Sequence, residues 1–366
     1  MRILQISSAR HFGGGERHLV DLINGLRRRG HDLFVATTPE SPLLAELQDL
    51  PDNKILRLRF RQPLNIASVW KLRQFVREQQ IQIVHAHVAR DYPLAALTAR
   101  TSAPRLVLTR HVLFPMSSFH RLTRQRVARV IAVSEAVAAS LRSQKIFADD
   151  QITVVRHGID LERFRPRSTS QTSGTLRVAM IGELSPVKGS EDFVKAAAAI
   201  AAERNDVQFA LIGRDNSANG EYLRKLRQQI EALSLSQRVE LIESKIDVTD
   251  FLSTVDVLVS ASQTEAFGLA IAEAMACGVS VVATMTEGAR EIIDDKETGR
   301  LVPIGDSAEL ARVTLALLAD RGERRRLAAN ALQMITEQFS LPRMIAETEQ
   351  VYDEVLRESK SVTAPE

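Results

Sequence analysis

The chain has one cysteine, no long apolar run and few aromatic residues, and each shortage excludes a class of protein. The single cysteine among 366 residues, Cys277, cannot form an internal disulfide or a cysteine-based zinc site. No apolar run approaches the roughly 20 residues that span a bilayer. The first residues, Met1–Ile6, are too short for a signal peptide and predict a strand instead. We therefore expect a protein of the cytoplasm without a transmembrane helix.

Charge is unevenly distributed along the chain. Residues 1–166 contain 26 Lys and Arg against 14 Asp and Glu, a formal charge of +12, whereas the rest contains 22 against 31, a charge of −9. A basic first half indicates an anionic partner. Nucleic acid is disfavoured because no aromatic residues are interleaved with the basic ones and no nucleic-acid-binding signature is present. An anionic membrane surface or an acidic acceptor fits better.

Strand and helix signals alternate along the whole sequence. Short apolar segments such as Arg2–Ile6 and Arg177–Ile181 precede amphipathic ones such as Glu16–Arg29. The alternation is interrupted at Arg165–Gly174, a polar stretch with Pro, Ser and Thr that is typical of a linker. This pattern predicts an α/β protein with two Rossmann-like, doubly wound domains facing a cleft. Ligands of such sheets bind at the carboxyl ends of the strands.

The segment Val255–Thr284 carries the clearest functional signal. It predicts a strand, a polar loop, a helix beginning near Phe267 and a second strand. Glu265 lies in the loop, and Glu273 is the one carboxylate on an otherwise apolar helix, which is costly unless that carboxylate is paired. Both glutamates could instead serve structurally, as a residue at the helix start and a solvated helix position.

The start of that helix predicts a phosphate site, because its free amides and the helix dipole favour an anion. The amides concerned are those of Phe267, Gly268 and Leu269. Lys188, in the sequence SPVKG before another helix, would add a point charge on a diphosphate, although most single lysines are solvated. An anion site beside two carboxylates that accept hydroxyl protons suits a nucleotide sugar.

Two further loops carry candidate residues. The sequence GGGE at Gly13–Glu16 allows close approach to a ligand, or is a plain turn; it lacks the pattern of a dinucleotide site. His111 follows a strand and is a candidate for contact with a sugar hydroxyl or the acceptor. His85 and His87 face one side of a strand, but the sequence offers no third ligand, so we expect no metal site.

Four arginines fall within one predicted helix beside apolar residues. This pattern is typical of a membrane interface, with a solvated helix face as the alternative. The arginines are Arg121, Arg124, Arg126 and Arg129.

Taken together, these pieces resemble the family 4 glycosyltransferases of the GT-B fold. The family's hallmark, E-x7-E, is matched by Glu265 and Glu273 and is followed by AMACGVSVVAT and GAREII. Other pieces occur in family order across nearly the whole chain: GGGER, IVHAH, VIAVSEAV, RHGIDLERFRP, PVKG and TGRLVP.

The resemblance implies a role for each matching residue. Glu273 would hold the ribose hydroxyls of the donor, and Glu265 would meet hydroxyls of the transferred sugar. Lys188 and the amides of 267–269 would hold the diphosphate, Gly14 and Gly15 would close over it, and His111 would lie near the sugar and the acceptor. It also implies a metal-independent, retaining reaction in which the leaving phosphate assists deprotonation of the acceptor. The predicted first domain is 1–166 with a returning helix at 342–360, and the second is 175–341.

One position departs from the family pattern. The family usually has arginine in a G-R-L sequence after the strand, where this chain has Gly182-Glu183-Leu184. Either another arginine supplies the charge, or Glu183 has a different role, or donor binding is weakened. The alternative arginines are Arg17, Arg110 and Arg214.

We interpret the sequence as a cytoplasmic glycosyltransferase, peripheral on the inner face of the cell membrane. It would need no cofactor and would move a hexose-type sugar from a UDP- or GDP-sugar to a lipid-linked or polysaccharide acceptor. Two alternatives stay open: a nucleotide-sugar epimerase of similar fold, and a catalytically silent sugar-nucleotide-binding protein. The sugar, base, acceptor and linkage depend on loop shapes and are not predicted.

Overall fold

The computed structural model describes residues 1–59, 66–99, 104–166, 174–243 and 248–361, which form two compact units. The first unit comprises Met1–Gly158 and the residues from Leu341 onward, and the second comprises Ile159–Ser340. This division differs from the predicted one at 166 and 175. The amide of Ile159 donates to the carbonyl of Phe339 at 2.7 Å, and both side chains pack in the second unit's core. Residues 167–173 of the predicted linker lie outside the described residues.

Thirteen strands are present in the described residues, and every ladder between them is parallel. They are β1 (Arg2–Ile6), β2 (Asp32–Thr37), β3 (Ile55–Arg57), β4 (Ile83–Ala86), β5 (Arg105–Arg110), β6 (Val127–Ala132), β7 (Ile152–Val154), β8 (Leu176–Ile181), β9 (Val207–Ile212), β10 (Val239–Ile242), β11 (Val257–Ser260), β12 (Ser280–Thr284) and β13 (Arg300–Val302).

Twelve α-helices are described in the same ranges of the chain. They are α1 (Gly14–Arg28), α2 (Ile66–Glu78), α3 (Tyr92–Thr98), α4 (Glu135–Gln144), α5 (Ser190–Glu203), α6 (Glu221–Ala232), α7 (Val248–Leu252), α8 (Leu269–Ala276), α9 (Glu287–Ile292), α10 (Ser307–Ala319), α11 (Arg321–Gln338) and α12 (Leu341–Ser361).

Each unit has one parallel sheet whose strand order reverses in the middle. The first sheet has the order β3-β2-β1-β4-β5-β6-β7, and the second β10-β9-β8-β11-β12-β13. The reversal lies between β1 and β4 in the first and between β8 and β11 in the second. Parallel strands buried on both faces explain the nearly continuous apolar runs of the sequence. The predicted α/β architecture of two doubly wound units is confirmed.

The last helix belongs to the first unit. Side chains of α12, including Leu341, Ile345 and Val355, join the core formed by β1, β4, β5 and α1. The close approach of α1 and α12 requires glycine at Gly25, because a Cβ there would lie 1.9 Å from the Ile345 side chain. Tyr352 is fully buried against the sheet.

Two local predictions are wrong. The helix expected to hold Arg121–Arg129 is absent: two short 3-10 turns, Ser118–Leu122 and Arg124–Arg126, lead directly into β6. The β-branched residues of β6, which are Val127, Val130 and Ile131, favour a strand, and all three are buried there. Gly14 and Gly15, expected in a loop, form the first turn of α1, where their low helix propensity matters least.

Candidate functional site

In the second unit, two loops meet where the strand order reverses. One follows β8 and contains Lys188, and the other follows β11 and contains Glu265. The amide of Gln263 donates to the carbonyl of Val187 at 2.8 Å, which fastens the second loop to the first. This position, at the carboxyl ends of neighbouring strands on either side of the reversal, is the usual ligand site of a doubly wound sheet.

Glycine allows the two loops to approach closely. Gly189 has φ +71°, and a Cβ on it would lie 1.9 Å from the carbonyl oxygen of Ala261. The preceding turn, Pro186–Lys188, is capped by Ser185, whose Oγ accepts from the amide of Lys188 at 3.4 Å. Lys188 is thereby held against the loop that follows β11.

Lys188 and Glu265 form an ion pair, which we call the Lys–Glu pair. Nζ of Lys188 lies 2.7 Å from Oε2 and 3.0 Å from Oε1 of Glu265. Oγ of Ser262 donates to Oε2 at 3.2 Å. The lysine side chain keeps 30% of its surface exposed and the glutamate 14%. The structure thus brings two predicted site residues into contact, at a place accessible to a ligand.

The helix after Glu265 begins slightly later than predicted. α8 starts at Leu269 with Gly268 as its N-cap at φ +105°, so the Phe267 amide belongs to the loop rather than to the helix. The amides of the first turn have no acceptor within a helix. Gly288, in α9, donates its amide to the carbonyl of Glu265 at 3.1 Å. A Cβ on Gly288 would lie 2.6 Å from that oxygen, so glycine is required for α9 to support this loop.

Glu273 is half-buried on α8. Its neighbours on the helix, including Ala272, Ala274 and Met275, are fully buried in the core formed with α11 and β12. Glu273 therefore marks the side of α8 that this core does not cover. Its predicted contact with ribose stays a prediction.

Glu183, which stands at the family's arginine position, is exposed just after β8. Of the three alternative arginines, Arg214 lies beside it: the carbonyl of Arg214 accepts from the amide of Leu184 at 2.9 Å. Arg110 is buried in the first unit, where its guanidinium donates to the carbonyl of Phe114. Arg17, also in the first unit, lies 3.7 Å from Glu46. Within the second unit, Arg214 is thus the candidate replacement.

In the first unit, a carboxylate organises the loop after β1. The amide and Oγ of Ser8 donate to Asp91 at 2.8 and 2.5 Å. Asp91 is fully buried, and burial raises its pKa to about 6. Further along the loop, Glu16 accepts from the amide of Gly13 at 3.1 Å. Burial also raises the pKa of Glu16.

The predicted residues Gly15 and His111 lie together in this unit. A Cβ on Gly15 would lie 3.7 Å from the His111 ring. Four other imidazoles surround them, and we call the five the histidine cluster: His18 on α1, His85 on β4, His87 just after β4, His111 after β5 and His157 after β7. Ring centroids of neighbouring members are 4.2 to 6.1 Å apart.

Hydrogen bonds connect the histidine cluster to the sheet and to α12. His85 Nδ1 lies 2.7 Å from the hydroxyl of Tyr352, and its Nε2 lies 2.6 Å from Oγ1 of Thr109. Nε2 of His87 lies 2.8 Å from Oε1 of Gln5. Nδ1 of His157 lies 3.0 Å from Nδ1 of His18, a contact that requires a proton on one of the two atoms.

Burial keeps the histidine cluster neutral. It lowers the pKa of His18 to about 4 and that of His85 to about 3. The pKa values of the other three members are also well below the usual value, mainly through burial and then through the neighbouring imidazoles. Neutral imidazoles donate and accept single hydrogen bonds, which suits polar uncharged groups such as sugar hydroxyls.

Sequence reasoning missed two members of the cluster. His18 sits on an amphipathic helix, and His157 precedes the glycine in RHGID; neither is near His111 in sequence. One signal was available, because all eight histidines of the chain fall within residues 11–157. Only the strand order brings α1 and the ends of β4, β5 and β7 together.

Comparison with known proteins agrees with this architecture. Residues 12–163 match the family described as Glycosyltransferase Family 4, and residues 163–334 match Glycosyl transferases group 1. Among curated relatives, N-acetyl-alpha-D-glucosaminyl L-malate synthase of Bacillus anthracis is 26% identical over 317 residues, 82% of this chain and 81% of the relative. The mannosyltransferase LpcC of lipopolysaccharide core biosynthesis in Rhizobium leguminosarum is 27% identical over 329 residues, 86% and 87% of the two chains.

A solved structure extends the likeness to the whole fold. HepE of Anabaena, solved in complex with UDP and glucose, has a TM-score of 0.86 and 23% identity, covering 97% of this chain and 100% of that one. The two family matches adjoin and together run from residue 12 to residue 334. The chain is a glycosyltransferase, a member of family 4 with the GT-B fold.

Proposed function

We propose that the protein transfers a sugar from a nucleoside diphosphate sugar, with retention of configuration and without a metal ion in the reaction. The observation that carries this proposal is the Lys–Glu pair at the carboxyl ends of β8 and β11, directly before the start of α8. The pair places a cation for the diphosphate beside a carboxylate for the sugar hydroxyls. The UDP complex of HepE, a protein of the same fold, supports the choice of donor class.

The pair suits the charges that develop in such a reaction. Cleavage of the sugar–phosphate bond puts negative charge on the leaving phosphate and positive character on the sugar. Lys188 and the first amides of α8 would stabilise the phosphate more in the transition state than in the ground state. When the donor enters, Nζ of Lys188 would move from Glu265 to the diphosphate, leaving the carboxylate to accept sugar hydroxyls. Glu273 would hold the ribose.

The acceptor side is assigned to the first unit. His111, with Gly15 against its ring, would contact the transferred sugar and the acceptor. The leaving phosphate would take up the acceptor proton, since the pKa of His111 is well below the usual value and its neutral imidazole is a weak base. We propose a lipid-linked or polysaccharide acceptor; the role of LpcC in lipopolysaccharide core biosynthesis supports this class.

The first test is calorimetry of the purified protein with UDP, GDP and their sugar derivatives. We expect one diphosphate-dependent site and no effect of EDTA on either binding or transfer. Products formed with lipid extracts would then be identified by mass spectrometry, and NMR of the new linkage would give its anomeric configuration. An inverted anomer would contradict the retaining mechanism. Failure to bind any nucleotide would remove the donor proposal.

The same measurements separate the two alternatives. A new sugar nucleotide formed without acceptor would indicate an epimerase. Binding without turnover across a broad acceptor panel would indicate a catalytically silent protein. The family membership favours transfer over both.

The surface of the first unit supports binding to an anionic membrane. In its described residues, the exposed large apolar side chains fall in two segments: Ile66 and Trp70 on α2, and Val112, Phe114 and Leu122 after β5. The end of α3 lies near both, since Arg73 of α2 donates to the carbonyl of Leu97, and Arg126, four residues after Leu122, donates to that of Ala96. Neither residues 66–77 nor 105–134 contain an acidic residue. Apolar side chains among cations suit an anionic lipid interface.

Vesicle binding tests this surface. Trp70 is the only tryptophan of the chain, so its emission should shift to the blue when anionic vesicles are added at low salt. Leu122→Gln should weaken binding about tenfold, whereas Leu233→Gln, at an exposed apolar site in the second unit, should not. Equal binding to neutral vesicles would contradict the electrostatic part of the proposal, and no binding at all would overturn it.

A further inference from the structure

Three imidazoles of the histidine cluster converge on one point. Among the residues that the structure describes, His18, His87 and His111 are the one group of three whose nitrogens could hold a metal ion: their ligand atoms all lie within 4.8 Å of one another. They come from α1 and from the ends of β4 and β5, which are far apart in the sequence. The order of the strands in the sheet brings them together in space.

Hydrogen bonds orient the rings of this group toward one another. Oε1 of Gln5 can only accept, so Nε2 of His87 carries the proton and its Nδ1 carries the lone pair. That Nδ1 faces Nε2 of His111 at 3.5 Å. Gln5 is itself held in place, because its amide nitrogen donates to the hydroxyl of Tyr352 at 3.2 Å. Metal-bound histidines characteristically have such a partner on the far nitrogen, which fixes the tautomer and the ring orientation.

His157 is a partner of His18, and one nitrogen of His111 lacks a hydrogen-bond partner among the described residues. Nδ1 of His157 lies 3.0 Å from Nδ1 of His18. The other ring nitrogen of His18, Nε2, is therefore the one available to a metal ion. Nδ1 of His111 is buried and has no hydrogen-bond partner among the described residues. When Nε2 of His111 binds an ion, this Nδ1 carries the proton of the neutral ring.

We propose that His18, His87 and His111 bind one divalent transition-metal ion of the zinc class. Imidazole nitrogens ligate zinc at about 2.0–2.1 Å, which places them roughly 3.4 Å apart in a tetrahedral site. The observed separations require the rings to draw together slightly. Three neutral imidazoles leave the fourth position for water or another ligand, and Gln5 and His157 act as positioning residues.

This ion is an inhibitor rather than a part of the reaction. The inference about inhibition rests on the proposed function, in which His111 contacts the transferred sugar and the acceptor. A metal ion on His111 withdraws its imidazole from that contact. Transfer should therefore proceed in EDTA and fall when Zn²⁺ is added.

Metal binding is tested first, without any assay of activity. Full-length protein is dialysed against Zn²⁺ and, separately, Co²⁺, and bound metal is measured by atomic emission. We expect one ion per chain and the visible absorption bands of four-coordinate Co²⁺. His18→Asn should weaken binding at least tenfold, and so should Gln5→Leu through the lost orientation of His87. His31→Asn, in the same unit but outside the cluster, is the matched control.

The outcomes separate this inference from the proposed function. No bound ion, binding unchanged in His18→Asn, or a Co²⁺ spectrum of six-coordinate exposed ligation would overturn the metal site. Donor binding by the second unit would be untouched by any of these results. If His18→Asn fails to fold, the Co²⁺ spectrum of the natural chain still decides. If Zn²⁺ binds at the site but transfer is unaffected, the inhibitory role is wrong while the site stands.

Discussion

The two units have the same sheet arrangement but opposite site chemistry. At the strand reversal of the second unit, an oppositely charged pair, Lys188 and Glu265, stays partly exposed. The corresponding region of the first unit contains neutral imidazoles that contact one another and the side chains of Gln5, Thr109 and Tyr352. The second unit has no histidine at all. The fold therefore places the loops after the strands alike in both units, and the residues of these loops give one region charged groups and the other neutral imidazoles.

The largest expected effect is on the charged site. Lys188→Ala should lower transfer by about 10²–10³-fold, because a fixed cation aimed at the leaving phosphate acts mainly in the transition state. Lys188→Arg should recover part of the rate. Lys195→Ala, which removes an exposed lysine paired with Asp192 on α5, is the control and should have little effect. Turnover of Lys188→Ala equal to that of the natural protein would remove the lysine from the mechanism.

The second prediction concerns the neutral site and acid. Burial lowers the pKa of His18 from 6.5 to about 4, so the unfolded chain binds a proton that the folded chain does not. The cost of burying a neutral His18 should be absent above pH 6.5. As the pH drops toward 4, the free energy of unfolding of the first unit should fall by about 3 kcal/mol for His18 alone. The other members of the cluster act in the same direction.

Two carboxyls of the first unit, Asp91 and Glu16, oppose this trend, because burial raises the pKa of each. Burial raises the pKa of Asp91 from 3.8 to about 6, so the cost of burying this carboxyl is full above about pH 6 and is relieved as the pH falls from 6 toward 3.8. Hydrogen exchange of each unit, measured in EDTA between pH 7 and 4, checks the sum of these effects. We expect acid-induced opening in the first unit only, with a smaller pH slope in His18→Asn. An equal dependence of stability on pH in both units would contradict the difference in site chemistry between them.

The third prediction tests how the charged site is built. Gly189→Ala puts a Cβ where the Ala261 carbonyl lies and requires a side chain at φ +71°, so we expect a loss of about 1–3 kcal/mol in the second unit. Gly174→Ala is the control, since a Cβ there meets nothing within 4 Å. Denaturant unfolding of both variants gives the difference. Gly189→Ala as stable as the natural protein would contradict the close approach of the two loops.

The smallest expected effect concerns the departure from the family pattern. Glu183→Arg should raise the affinity for a nucleoside diphosphate about three- to tenfold, because a repelling carboxylate becomes a donor. Glu203→Arg makes the same charge change at the far end of α5 and should change little. Calorimetry with UDP or GDP measures both. If Glu183→Arg has no effect and Arg214→Ala weakens binding, Arg214 already supplies the charge.

Sequence reasoning found the charged site more completely than the neutral one, for a physical reason. Lys188 and Glu265 each follow a strand and precede a helix, so local pattern alone places them at the ligand-binding edge of the sheet. His18 lies on a helix, and its meeting with His87 depends on which strands are neighbours. The predicted helix at 121–129 is absent because the β-branched residues of β6 favour a strand from Val127 onward. Contact of Glu273 and of the α8 amides with a donor remains a prediction.

The place of α12 in the first unit has a consequence for biosynthesis. The second unit is one uninterrupted stretch, 159–340, and all of its core is available once that stretch has left the ribosome. The first unit is completed only later, because Tyr352 of α12 bonds to Gln5 of β1 and His85 of β4, which are made 347 and 267 residues earlier. The half that is translated first is thus completed last, and a chaperone that shields an unfinished sheet would act on this half.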